Sequence, residues 1–236
     1  MKNVLEDTGM LYMIDTANTD SIRRCVDTFP IDGVTTNPTL VAKEKTSFLS
    51  LTQTIRQIIG DERMLHIQVT ANEFEKIVQE AKELQNFLGG NLYIKIPISK
   101  EGLQAAMALK RMGMKVTMTA IFTQQQALMA AKAGADFVAP YVNRLDNIVS
   151  DGVNVVSEIV ELFNYYQISS KVLAASFKNV EQVHKTSMAG AHAVTVNPEI
   201  LESLIYHPLT ICAIDDFTAD WKTAYGNQTI LNMFRQ

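Results

Sequence analysis

A chain of 236 residues, 47% of them apolar and 19% charged, can bury a substantial core and suits one large α/β barrel or two small domains. Its formal net charge of −4 and its scattered Lys and Arg residues exclude the basic stripe of a nucleic-acid-binding protein. No run approaches the roughly 18 apolar residues of a membrane span, and the start, Met1 to Asp7, has no apolar signal core. The expectation is a soluble cytoplasmic protein with no membrane partner.

Eight short β-rich runs follow in chain order, at 10–16, 33–37, 64–69, 92–98, 115–121, 137–142, 171–176 and 193–198, separated by stretches of helical periodicity. Alternating β and α units predict a parallel sheet covered by helices. Eight units in this length fit a closed (β/α)8 barrel, an α/β TIM barrel with an added C-terminal helical segment. A doubly wound open sheet would carry a Gly-rich turn after its first strand; here that position reads Asp15-Thr-Ala-Asn-Thr-Asp20, without glycine. One barrel domain over 1–236 is expected, with an extension at about 209–236 bearing Trp221, Tyr225 and Phe234. That extension can pack on its own surface or reach a neighbouring subunit.

Local punctuation supports the reading. Gly113, Gly134 and Gly190 each fall where a helix needs a left-handed residue before the next strand. Thr123 and Gln126 have capping-box spacing, and Ser99 is a candidate N-cap for a helix at 100–112. Cys25 and Cys212 stand far apart without metal spacing and read as small hydrophobes in a reducing compartment. The Met-rich stretch 107–118 reads as core filler, and Trp221 as packing.

In a barrel of this kind the chemistry sits at the C-terminal ends of the strands, and side chains two residues apart share a face. The first run offers Asp15, the second Thr35 and Asn37, the third His66 and Gln68. The fourth offers Lys95 in phase with Tyr93, the fifth Thr117 and Thr119, the sixth Tyr141 and Asn143 followed by Arg144. The seventh ends in Ser176, and the eighth offers Thr195 and Asn197. Singly, each has a plainer reading. Asp15 could cap the next helix, Asn37-Pro38 could be a turn, and Tyr141 could be an interfacial ring. His66 reads as a hydrogen-bonded interior residue, and His184, His192 and His207 show no metal spacing. Joint phasing is what favours a site.

Lys95 stands out because the run Leu92-Tyr-Ile-Lys-Ile-Pro-Ile98 is apolar on both faces. A lysine there can snorkel from an edge, or it can place its amine where water is scarce and burial favours the neutral form. A neutral, anchored amine attacks carbonyls. A free lysine, with a pKa near 10.4, is neutral in only about 4 of 10⁴ copies at pH 7; reaching ~7.5 needs about 4 kcal/mol against the ammonium. A carboxylate beside the amine would oppose that shift, so Asp15 is expected to be offset from it.

The runs Tyr12-Met-Ile-Asp15-Thr, Gly33-Val-Thr-Thr-Asn37-Pro, Ile94-Lys95-Ile-Pro97, Ala139-Pro-Tyr141-Val-Asn143-Arg144 and Ala174-Ala-Ser176-Phe-Lys178 resemble the transaldolase superfamily. More narrowly, they resemble its small bacterial branch of fructose-6-phosphate aldolases and short transaldolases. The resemblance covers about residues 10–226. It implies a (β/α)8 barrel and class I, Schiff-base chemistry with no cofactor and no metal. It implies sugar and sugar-phosphate substrates, a place in carbohydrate metabolism, and a pentameric or decameric homo-oligomer.

Carried over by the same resemblance, Lys95 matches the Schiff-base lysine and Asp15 the catalytic carboxylate. Thr119 helps hold the catalytic water, with Tyr141 and Gln68 positioning it. Asn37 and Ser176 match groups that contact the ketose, and Arg144 with Ser176 the phosphate-binding side; Thr35 and Asn143, in phase at their strand ends, are further substrate-binding candidates. Classical transaldolases carry Glu and Phe where this chain has Gln68 and Tyr141, so the resemblance is to the aldolase. Met118-Thr-Ala-Ile-Phe122 and His66 depart from that pattern. The implied reaction is reversible cleavage of fructose 6-phosphate to dihydroxyacetone and glyceraldehyde 3-phosphate. The alternatives are a transaldolase passing a dihydroxyacetone unit from sedoheptulose 7-phosphate to glyceraldehyde 3-phosphate, a non-catalytic sugar-phosphate-binding barrel, and a scaffold barrel.

Overall fold

The computed structural model of the chain describes residues 9–234, so the stretch read for a signal core lies outside the described residues. Eight strands pair in sequence order, all parallel, and the last closes on the first. They are β1 (Leu11–Asp15), β2 (Gly33–Thr35), β3 (Met64–Gln68), β4 (Leu92–Pro97), β5 (Lys115–Ile121), β6 (Phe137–Pro140), β7 (Lys171–Ala174) and β8 (Ala193–Val196). The principal helices of the barrel are α1 (Thr19–Thr28), α3 (Phe48–Ile59), α4 (Phe74–Leu88), α5 (Lys100–Arg111), α6 (Gln124–Lys132), α8 (Gly152–Tyr165) and α9 (Val180–Met188). Three short helices, α2 (Pro38–Lys43), α7 (Val142–Asp146) and α10 (Pro198–Ser203), follow β2, β6 and β8. The expected (β/α)8 barrel with a helical tail is the architecture found.

The chain divides into two compact units at Leu201/Glu202. The first is the barrel. The second carries α11 (Pro208–Tyr225) and α12 (Ile230–Met233). Within it the Trp221 indole N–H donates to the Gln228 carbonyl at 2.8 Å and its ring lies 4.6 Å from that of Tyr225. No residue of α11 is buried, and Leu209, Ile214, Phe217 and Tyr225 are all exposed on it. Among the described residues no helix is long and apolar enough to cross a membrane.

The barrel's elements follow from their sequences. On α8, Val155, Val156, Ile159, Val160 and Phe163 recur at helical spacing and are buried. Each such side chain stabilises by roughly 1.5–3 kcal/mol relative to exposure. At the ends of α5, α6 and α9, Gly113, Gly134 and Gly190 have φ of +76°, +91° and +84°. The amide of Met114 reaches back to Leu109 O and that of Gly113 to Lys110 O, and the other two junctions repeat the pair of bonds. Ser99 caps α5, and Thr123 with Gln126 forms a full capping box on α6. A Cβ on Gly33 would stand 2.4 Å from Met64 O, so only glycine allows β2 and β3 to approach here.

Several runs end sooner than the β-rich composition suggests. The second strand stops at Thr35 because Asn37 is already the N-cap of α2, its Oδ1 accepting from the Leu40 amide at 3.1 Å. The sixth stops at Pro140, and only an isolated Tyr141–Ala175 bridge continues it before α7 begins. Asn143 is therefore a helix residue, and the strand phase drawn between it and Tyr141 does not hold. The methionines also divide. Met114 and Met118 are buried, but Met107 on α5 and Met112 at its C-cap are exposed, because a helix repeats every 3.6 residues and cannot bury every methionine of a run. Of the cysteines, Cys25 is buried and Cys212 exposed.

The inward-facing residues stack in levels. Met13, Phe137, Leu173 and Ala193 form an apolar cluster, flanked by Leu11, Met64 and Tyr93. Above it the inward residues turn polar: Thr35, His66, Lys95, Thr117, Thr119 and Thr195 are all buried. The barrel is closed by carbon at one end and lined by donors and acceptors at the other.

Candidate active site

Lys95 is the fourth residue of β4 and faces inward, while its neighbours Ile94 and Ile96 are fully buried on the outer face. Its own exposure is 3%. The strand does not let it snorkel to water. Its Nζ donates to the Thr36 carbonyl at 3.2 Å. Among the described residues no carboxylate pairs with it; Asp15 is held elsewhere.

Asp15 ends β1 and does not cap the next helix; Asn18 does so, accepting from the Ser21 amide at 3.0 Å. The Asp15 carboxylate instead accepts at Oδ1 from Thr35 Oγ1 at 2.7 Å. Thr35 Oγ1 also lies 2.7 Å from Thr195 Oγ1. Thr35 has one hydroxyl proton, and it goes to the carboxylate. Thr195 must therefore donate to Thr35. Three side chains on β1, β2 and β8 thus form a one-way chain of donors ending on Asp15.

A second polar group lies on β5 and beyond β6. Thr119 Oγ1 and Tyr141 OH are 3.1 Å apart. Thr119 is aimed by a bulge: the β5–β6 register shifts between Met118 and Ile121, and Ala120 inside that interval has φ +57°. A left-handed alanine is strained, and such strain gathers where geometry matters. Phe122 packs edge-on against the Tyr141 ring at 5.7 Å, and the Arg144 guanidinium lies 4.9 Å from that ring's centre. Arg144 itself is exposed on α7.

Gln68 ends β3 as the register partner of Lys95, which places both at one level of the barrel. Ser176 follows β7 in a left-handed conformation, φ +65°, and its carbonyl accepts from the Asn143 amide at 2.8 Å. The Asn143 side chain accepts from Gln182 Nε2 at 3.2 Å. Asn37 spends its Oδ1 on the helix cap, leaving its amide nitrogen without a partner among the described residues. Asn197 likewise caps α10.

His66 is fully buried one step below Gln68, with Nδ1 2.8 Å from Thr117 Oγ1. Burial first, and the positive charge of Lys95 second, hold its pKa well below that of an ordinary imidazole. Among the described residues no cluster of three or more His, Cys, Asp or Glu side chains could hold a metal ion.

The structure therefore puts Lys95, Asp15, Thr35, Gln68, Thr119 and Tyr141 on the lining or rim of the C-terminal barrel mouth. Asn37, Asn143, Arg144 and Ser176 belong to the loops and short helices that follow the strands. Thr195 as the donor behind Thr35, and Ala120 as the kink that aims Thr119, were not singled out from the sequence. Thr195 was visible as an in-phase strand-end hydroxyl. An alanine carries no sign of positive φ.

The chain matches the family model described as transaldolase/fructose-6-phosphate aldolase over residues 12–232. A probable fructose-6-phosphate aldolase of Streptococcus pneumoniae is 39% identical over 222 residues, covering 94% of this chain and all of that one. A probable transaldolase of a Thermoanaerobacter species is 40% identical over 215 residues, covering 91% and 98%. A probable transaldolase 2 of Bacillus cereus is 40% identical over 219 residues, covering 91% and 99%. Among solved structures, native KDPGal superposes with a TM-score of 0.56 at 15% identity, covering 84% of each chain. A flavocytochrome b2 mutant with pyruvate bound superposes at 0.60 with 12% identity, over 81% of this chain and 57% of the other. At those identities the solved structures speak to the barrel alone.

Proposed function

The chain belongs to the transaldolase/fructose-6-phosphate aldolase family, in its small bacterial branch, and on that premise we propose that it is a class I aldolase acting on fructose 6-phosphate. The observation that carries the reading is Lys95: an amine at 3% exposure inside the barrel, held by the neutral Thr36 carbonyl and, among the described residues, by no carboxylate. The free base of such an amine is the nucleophile that attacks a ketone.

Lys95 Nζ adds to the C2 ketone, and loss of water leaves an iminium. The positive nitrogen draws the C3–C4 electron pair to itself as the C4 hydroxyl loses its proton to Asp15. Glyceraldehyde 3-phosphate departs and an enamine of dihydroxyacetone remains on the lysine. Protonation at C3 restores the iminium, and water adds at C2 to release dihydroxyacetone and the amine. Every step runs backwards in the synthetic direction.

Each role has a support. Asp15 has Oδ1 held by Thr35, which leaves Oδ2 for a substrate hydroxyl. Thr119 and Tyr141 are close enough to share one water, with Gln68 at the level of the lysine. Arg144 supplies charge-assisted bonds to the phosphate beside Ser176, and Asn37 and Asn143 contribute amides along the sugar. The Asn37 amide nitrogen has no partner among the described residues and is available for that contact; Asn143 already holds Gln182 and contributes through its remaining amide. The chemistry asks for no metal or cofactor.

Transaldolase is the second reading, because two of the three relatives compared carry that name as probable. The product assay separates them. Fructose 6-phosphate alone releases free dihydroxyacetone from an aldolase. Added erythrose 4-phosphate diverts the three-carbon unit into sedoheptulose 7-phosphate in a transaldolase. We further propose one barrel domain working in the cytoplasm as a homo-oligomer. The apolar side chains left exposed along α11 support the last point.

A further inference from the structure

The barrel interior holds a titratable side chain that this chemistry leaves unused. His66 is fully buried, its Nδ1 bonded to Thr117 Oγ1 at 2.8 Å and its Nε2 without a partner among the described residues. The ring lies flat against Tyr93, centroids 4.6 Å apart and planes 6° apart, and meets Phe137 edge-on at 5.4 Å.

The strand register fixes what this hydrogen bond crosses. His66 on β3 is the partner of Tyr93 on β4, and Thr117 on β5 is the partner of Lys95 on β4. A bond from His66 to Thr117 therefore spans β4 between Tyr93 and Lys95. Those two side chains share the inward face. Tyr93 closes one side of the imidazole by stacking, and the register puts Lys95 beyond the bond on the other side. The amine stands on a strut that ties β3 to β5.

The strut must stay uncharged, because the nitrogen above it becomes an iminium in each turnover. Burial keeps the imidazole neutral, and the nearby lysine charge adds to that. A neutral imidazole still pairs with a threonine hydroxyl, since it offers one donor and one acceptor. A phenylalanine would fill the same volume without the bond.

We propose that His66 is a positioning residue, whose bridge to Thr117 beneath Lys95 holds that lysine's stem so that the amine stays at the Thr36 carbonyl, facing the barrel mouth. The inference rests on the reading of Lys95 as the Schiff-base lysine.

The test compares wild type with His66→Phe, His66→Asn, Thr117→Val and the Phe/Val double variant. Each is assayed for kcat and KM on fructose 6-phosphate and for the rate of borohydride trapping with dihydroxyacetone. His66→Phe and Thr117→Val should each lower kcat and the trapping rate roughly 10- to 100-fold, the scale of a misplaced reacting group, with KM little changed. The double variant should be no slower than the worse single variant, since both lose one bond. His66→Asn, whose Oδ1 stands near the place of Nδ1, should recover most of the rate.

Wild-type kcat and trapping in His66→Phe, losses that multiply in the double variant, or an Asn variant as slow as Phe would each overturn the inference. Should His66→Phe fail to fold, Thr117→Val decides alone by the same kcat and trapping criterion. A wild-type adduct on Lys95 with unchanged variants removes this inference and leaves the aldolase reading standing. No adduct on wild-type Lys95 removes both.

Discussion

Thr35 donates its one hydroxyl proton to Asp15 Oδ1 at 2.7 Å, and so orients the carboxylate and leaves Oδ2 to face the barrel mouth in the proposed reaction. The donor is itself held by Thr195 at 2.7 Å. Thr35→Val keeps the branched strand side chain and removes this bond. A hydrogen bond to a charged group is worth about 1.5–3 kcal/mol, so kcat should fall roughly 10- to 100-fold. The steady-state rate of dihydroxyacetone release checks this; a rate within about twofold of wild type would remove Thr35 from the machinery.

Gln68 stands in register with Lys95 and cannot take a proton. Gln68→Glu places a base at that level and should shift the enzyme from cleavage towards transfer. The ratio of free dihydroxyacetone to sedoheptulose 7-phosphate, measured with erythrose 4-phosphate present, should fall. An unchanged ratio would refute this account of the difference between the two activities.

Arg144 is exposed and stacks over Tyr141, so its removal disturbs the rim and not the core. Arg144→Ala should raise KM for glyceraldehyde 3-phosphate about tenfold or more and leave KM for unphosphorylated glyceraldehyde nearly as it was. Equal changes for both aldehydes would place the phosphate elsewhere.

The eight strands and their order were legible because each is a short apolar run between helical stretches, and several are bounded by marked helix ends, as at Gly113, Ser99 and Thr123. The candidate site was legible at Lys95, where a lysine interrupts a strand buried on both faces. It was less legible in the loops. Asn143 shares a spacing of two with Tyr141, but Pro140 ends the strand and α7 takes over, so alternation no longer describes where its side chain goes. Thr195 gains its meaning from a residue 160 positions away in sequence. The role of Ala120 lies in its backbone angle, which its side chain does not announce.

His66 also gives stability a pH dependence. Its folded pKa lies well below 6.5 because of burial, with the Lys95 charge second. The unfolded chain takes up a proton at this residue below about 6.5 and the folded chain does not. Its contribution to stability is therefore full above that pH and falls as the pH drops, with a limiting slope of about 1.4 kcal/mol per unit. His192, lowered mainly by burial with Lys171 second, acts in the same direction. Urea midpoints between pH 5 and 7.5 should fall towards acid in wild type and fall less steeply in His66→Phe. Parallel curves would contradict the burial of a neutral His66.

The most direct measurement is intact mass after borohydride reduction in the presence of dihydroxyacetone, followed by peptide mapping. The account predicts one reduced three-carbon adduct per chain, located on Lys95 and lost in Lys95→Met. Protein that turns over fructose 6-phosphate yet carries no adduct, or carries it on another lysine, would contradict it.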